Sequence, residues 1–305
     1  MAVSTDYFNT PKVLDGGMGQ DLFARGVQPV GTLWSASALI DPQYHGIVRD
    51  AHLDFIDAGA DVIVTNTFTT RRNRLVENSI GDQFELLNQL AGQLAQDAKA
   101  QRPHVMVAGG LPPQQCTYEP DTRDNDAIMR DVLDQAVLLD PFVDFFYLDV
   151  LSSIREMAAA IAAIEPFNKP FLIGAHVSKG RCLPSGESVS QLNALADYTQ
   201  LMGVILACVS PETALENASE LQGLGVPFGV KVNAFKTTSL VGGYTQQFQD
   251  CCSGNPNEFL GTRTDLCPAT MARMIQPLKD AGATILGGCC ETTPAHIRAI
   301  ADLNH

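Results

Sequence analysis

Basic residues are scarce in this chain: 20 Lys and Arg stand against 34 Asp and Glu, a formal net charge of −14. Nucleic acid is therefore not an expected partner, because its phosphates are held by clustered Lys and Arg. An apolar run of the roughly 18–20 residues needed to cross a bilayer is also missing, so no membrane partner is expected. The opening residues, Met1-Ala2-Val3-Ser4-Thr5-Asp6, have neither the basic nor the apolar region of a secretory signal, and the expected location is cytoplasmic. Eight cysteines among 305 residues are too few for a disulfide scaffold, and a reducing compartment keeps them as thiols. No Gly-x-Gly-x-x-Gly follows the first apolar run, which speaks against a doubly wound dinucleotide fold.

What is present is one repeated unit. Apolar runs at Lys12–Gly17, Asp61–Phe68, His104–Leu111, Val143–Val150, Pro170–Val177, Met202–Ser210, Pro227–Phe235 and Ala283–Cys290 read as strands. Most are continuous rather than alternating, as strands buried on both faces should be. Helical spacing separates them: Ile128, Val132, Ala136 and Leu139 form one stripe, and Ala214, Ala218 and Leu221 another. Asp41-Pro42, Ser210-Pro211 and Thr293-Pro294 each place an N-cap before a first-turn proline. Gly59, Gly225 and Gly282 suit helix C-termini. Parallel strands need right-handed crossovers, and eight such units close most simply into a (β/α)8 TIM-type barrel. The expectation is an α/β chain forming a single domain over residues 1–305. A long polar βα loop at about 236–265 would lie over the mouth.

Barrels of this type carry their chemistry at the C-terminal ends of the strands. Those ends supply Asp15-Gly16-Gly17, Asn66-Thr67-Phe68, Gly109-Gly110-Leu111, Asp149, His176, Cys208, Asn233 and the pair Cys289-Cys290. The ring is polar and thiol-rich, with almost no basic residue. Zinc favours thiolate ligands, and a catalytic zinc keeps three protein ligands and one open position. Cys208 and the Gly287-Gly288-Cys289-Cys290 doublet also precede helix starts, whose dipoles favour thiolate. The competing possibility is plain packing, since a lone buried cysteine is usually a small hydrophobe, as expected of Cys116, Cys182 and Cys267. The doublet departs from that pattern because its glycines remove side chains where a ligand must approach. Cys251-Cys252 sits in the long loop, with no strand to fix its geometry. His176 is expected to be packed or hydrogen-bonded. Asp15 suits either an ammonium group or a simple turn before Gly-Gly, and Trp34, the only tryptophan, either a cation or the core.

Taken together, these residues resemble the homocysteine S-methyltransferase family over nearly the whole chain. Leu14-Asp15-Gly16-Gly17-Met18-Gly19 resembles its opening strand, and Leu33-Trp34-Ser35-Ala36, Ala58–Ile63 and Thr67-Phe68 follow in order. Cys208 falls at the family's first zinc cysteine, and Gly287-Gly288-Cys289-Cys290 matches its most specific motif. The resemblance implies a barrel that holds Zn²⁺ on Cys208, Cys289 and Cys290 to activate the homocysteine thiol. Asp15, Gly16, Trp34, Asn66, Thr67, Asp149 and Asn233 would bind the substrates. It also implies a small thiol and a cationic methyl donor as partners, with S-methylmethionine favoured and homocysteine converted to methionine. Three segments depart from the pattern: Asp149-Val150 stands where the family has Glu-Thr, Lys231-Val232-Asn233 where it often has Tyr-Pro-Asn, and Ala207 precedes Cys208 where it usually has Asn. These departures keep open another small thiol, or betaine or another onium donor. A closed, non-catalytic zinc-binding barrel is a further alternative.

Overall fold

The computed structural model describes residues 3–240 and 257–304. Eight parallel strands form a closed barrel in sequence order. They are β1 (Lys12–Leu14), β2 (Val62–Val64), β3 (Met106–Leu111), β4 (Phe145–Leu151), β5 (Phe171–Ala175), β6 (Leu201–Val209), β7 (Phe228–Val232) and β8 (Ile285–Gly288). β1 closes the ring on β8, pairing Val13 with Leu286. All eight expected runs contain a strand, each lying within its apolar run except β4, which ends one residue later, and β6, which starts one residue earlier.

Alternation along the strands divides the side chains into two cores. Phe145, Tyr147, Leu172 and Ile205 fill the inside of the barrel. Phe146, Leu148, Ile173 and Leu206 face outward against the helices. This double burial is why the runs read as continuous rather than alternating. The helix Asn125–Leu139 buries Ile128, Val132, Ala136 and Leu139, the stripe expected from its spacing. The second stripe is broken at Asn217 into the short helices Pro211–Glu216 and Ala218–Gln222. Between β5 and β6 the crossover is 3-10 helix, Val189–Leu195, so the repeat is looser than expected there.

The capping signals act locally. Asp41 accepts from the Gln43 N–H, Ser210 from the Thr213 N–H, and Thr293 forms a reciprocal capping box with His296. Gly59, Gly225 and Gly282 take φ of +107°, +71° and +100° after their helices. Of the expected loop at 236–265, residues 241–256 lie outside the described residues, and Cys251-Cys252 with them. Among the described residues no helix is long and apolar enough to cross a membrane.

Candidate metal centre and substrate pocket

Two bulges aim the mouth of the barrel. Strict alternation would send Ala207 and Cys208 to opposite faces of β6. The register against β7 shifts between Ala207 and Val209, and Cys208 takes φ +55°. Both Ala207 and Cys208 then join the inner core, and Val209 returns to the outer one. β4 repeats the device: its register against β5 shifts between Leu148 and Leu151, with Val150 at φ +64°.

Beyond β8 the doublet is held by backbone bonds on both sides. The Cys289 N–H donates to Val232 O at 2.7 Å, and the Ala234 N–H donates to Cys290 O at 3.1 Å. The Thr292 hydroxyl donates to Cys289 O at 2.6 Å and accepts the Gly17 N–H at 3.2 Å. The glycines of this region serve packing here. A Cβ on Gly288 would stand 2.3 Å from Thr292 Oγ1, and one on Gly17 would stand 2.8 Å from Cys289 O. The two turns interlock, so Gly288 serves close packing rather than simply clearing space for a ligand, while Gly17 also lines the cavity.

The result brings the sulfurs of Cys208, Cys289 and Cys290 within 4.8 Å of one another. A tetrahedral zinc with bonds of ~2.3 Å needs sulfurs roughly 3.8 Å apart, so a contraction of about 1 Å or less would seat it. Soft thiol donors in threes suit such an ion, with one position left open. Burial alone would raise the Cys208 thiol. Hydrogen bonds with Cys289, Cys290 and Tyr118 outweigh it and hold Cys208 well below the ordinary thiol range. Cys289 and Cys290 are pushed up, chiefly by their hydrogen bonds to Cys208.

A cavity of about 80 Å³ opens onto the three sulfurs. Of the expected substrate residues, Asp15, Gly16, Trp34, Asn66 and Asp149 line it. Thr67 does not: its hydroxyl donates to Gly110 O at 2.7 Å and ties the β2 loop to β3. Asn233 stands behind Cys208, donating to Cys208 O at 2.6 Å and to its sulfur at 3.5 Å.

Both oxygens of Asp15 have internal partners. Oδ2 accepts the Val64 N–H at 2.8 Å, and Oδ1 accepts from Lys231 Nζ at 2.7 Å. Lys231 is the cation that the reading of the strand ends did not place in the ring. Inward parity along β7 was the available signal, because Phe228, Val230 and Val232 face the helices. Its ammonium lies 5.8 Å from the Tyr147 ring centre, so a buried positive charge reaches into the barrel. Asp149 differs from Asp15: its Oδ1 is sealed from solvent without a hydrogen-bond partner. Burial drives its carboxyl up to about 6, against the opposing pulls of Lys231 and of the Tyr147 hydroxyl. Trp34 Nε1 is likewise buried and unpartnered.

His176 is fully engaged, with Nδ1 3.0 Å from Ala207 O and Nε2 2.9 Å from Ser178 Oγ. Tyr118, missed in the sequence, packs on it with ring centres 4.3 Å apart. Cys116 is half-buried, while Cys182 and Cys267 are exposed, which corrects their expected role as small buried hydrophobes. Cys267 stands at the N-cap of the helix Pro268–Asp280.

Relatives agree with this architecture. A homocysteine S-methyltransferase of Escherichia coli (strain K12) is 25% identical over 94% of this chain and 93% of its own length. An S-methylmethionine–homocysteine S-methyltransferase of Rattus norvegicus is 27% identical over 94% of this chain and 77% of its own. The crystal structure of the metallated Escherichia coli homocysteine methyltransferase superposes with a TM-score of 0.76 at 22% identity, covering 96% of both chains, a likeness of fold. The homocysteine S-methyltransferase family model matches residues 12–303. The chain belongs to the homocysteine S-methyltransferase family.

Proposed function

We propose that this protein transfers a methyl group from a cationic sulfonium donor, S-methylmethionine, to the thiol of homocysteine, giving methionine. The observation that carries the reading is the convergence of three thiols on one cavity that also holds a carboxylate with a free acceptor. Cys208, Cys289 and Cys290 would hold Zn²⁺, which supplies a Lewis acid able to keep a fourth sulfur ionised near neutral pH. The donor is supported by the name of the rat relative.

The chain's own residues account for the rest. Asp149 Oδ1 accepts the substrate ammonium, since the oxygens of Asp15 are already engaged by Lys231 and Val64. The Trp34 indole lies in the cavity wall, where its face suits a sulfonium and its Nε1–H suits a substrate oxygen. Transfer of a methyl group from a cation to a thiolate destroys charge, so a cavity that excludes water favours it. A cytoplasmic setting belongs to the same reading.

The test is zinc content and methyl transfer from S-methylmethionine to homocysteine, on wild type and Cys290→Ala purified without oxygen. One zinc per chain with methionine formed, and both lost in the variant, is the expected result. Zinc without turnover would move the reading to another thiol or onium donor, and absence of zinc from wild type would refute the metal centre.

A further inference from the structure

The three sulfurs do not have equal surroundings. Cys208 Sγ lies 3.0 Å from the Tyr118 hydroxyl and 3.5 Å from Asn233 Nδ2. Among the described residues, no side chain outside the triad is recorded within hydrogen-bond distance of Cys289 or Cys290 sulfur. A sulfur bound to a metal as thiolate carries no proton, so the phenol must then be the donor.

Tyr118 is also held in place to donate. Its backbone takes φ +63°, a region a bulky residue enters only when its surroundings demand it. Its ring stacks on His176, whose two nitrogens are fixed by Ala207 O and Ser178 Oγ. The preceding residue, Thr117, accepts from Arg71 Nη2 at 3.3 Å. The residue is buried at the edge of the cavity.

We propose that Tyr118 is a positioning residue of the metal centre: its hydroxyl donates to the Cys208 sulfur, fixes its direction and draws charge from it. This rests on the zinc reading above. A thiolate that gives up charge to a phenol binds its metal less negatively, leaving the metal better able to accept the substrate sulfur. Partners of this kind typically contribute about 10–100-fold to metal affinity or activity.

The experiment is chelator competition for Zn²⁺, together with the thiolate-to-metal charge-transfer band of the Co²⁺-loaded protein. Wild type, Tyr118→Phe and a chain with 3-fluorotyrosine at position 118 are compared. Tyr118→Phe keeps the stacked ring and should bind Zn²⁺ about tenfold more weakly. Its Co²⁺ band should move to longer wavelength, because an unbonded thiolate gives up its electron more easily. The fluorinated phenol is the stronger donor and should move the band the other way, and it decides the matter alone should the Phe chain not fold. An unchanged band in the fluorinated chain, or unchanged affinity and band in Tyr118→Phe, overturns the proposal. Wild type that binds no zinc overturns the metal reading and the proposal with it, whereas zinc binding indifferent to Tyr118 overturns the proposal alone.

Discussion

Lys231→Met is the most informative perturbation of the barrel interior. The side chains of Lys231 and Asp15 are 6% and 2% exposed and meet at 2.7 Å. Methionine nearly matches the lysine stem in volume, so little packing is lost, and the effect isolates the charge. Removing one partner of a buried pair costs about 3–5 kcal/mol, because the other charge is left without compensation. Asp15 keeps its bond from the Val64 N–H, which places the expectation near the lower end, about 3 kcal/mol. The assay is equilibrium urea unfolding of the metal-free protein at pH 7, followed by circular dichroism. The double variant Asp15→Asn/Lys231→Met removes the stranded charge and should return to within roughly 1–2 kcal/mol of wild type. Strict additivity of the two single effects, or a loss under about 1 kcal/mol in Lys231→Met, would refute the ion pair as a net constraint on the barrel.

Other consequences follow from the same geometry. Asp149→Asn should raise KM for homocysteine at least about tenfold while leaving a des-amino thiol analogue nearly unaffected, because one buried charge-assisted bond is lost; equal effects on both thiols would remove Asp149 as the ammonium acceptor. Glu156, buried and accepting from the Ser152 N–H at 3.0 Å, has its carboxyl raised from 4.5 to about 7 by burial. The stability linked to its protonated form is complete below pH 4.5 and is lost as pH rises through about 7. Glu156→Gln, which keeps an acceptor oxygen, should therefore gain on wild type across that window, levelling at about 3 kcal/mol above pH 7. Parallel pH profiles for the two chains would count against it.

The barrel was legible because its evidence is redundant. The strands are apolar runs, several of them preceded by a helix-ending glycine or followed by a capped helix start, so losing one signal leaves others. The thiol cluster was legible for a related reason, since Cys208 and the doublet close strands that the fold brings to one rim. Lys231 was hidden because a lysine in an apolar strand declares itself only through parity, which decides whether it faces helices or the barrel axis. Asp15 illustrates the same limit: its place at a strand end was readable, but its engagement by a residue far along the chain was not. Tyr118 lay beyond reach altogether, because nothing in the segment Cys116–Glu119 announces that its loop folds back onto β6.

Backbone strain links the site to the rest of the molecule. Seven described non-glycine residues have positive φ, and five of them, Trp34, Tyr118, Val150, Cys208 and Glu291, line the cavity or adjoin the cysteine doublet. Val150 is the clearest case, since a β-branched residue is a true outlier there. At about 1–3 kcal/mol each, the five store strain comparable in order to the net stability of a whole domain. A barrel can bear this only if the strained positions are over-determined by neighbours, and here they are. Cys208 is clamped by Asn233 through its carbonyl, and the doublet by Val232, Ala234 and Thr292. The bulges that strain Cys208 and Val150 are also what turn Cys208 toward the other two sulfurs and bring Val150 in beside Asp149. Relaxing β6 to regular alternation would relieve the strain at Cys208 but would point its side chain into the helical layer, away from the metal centre.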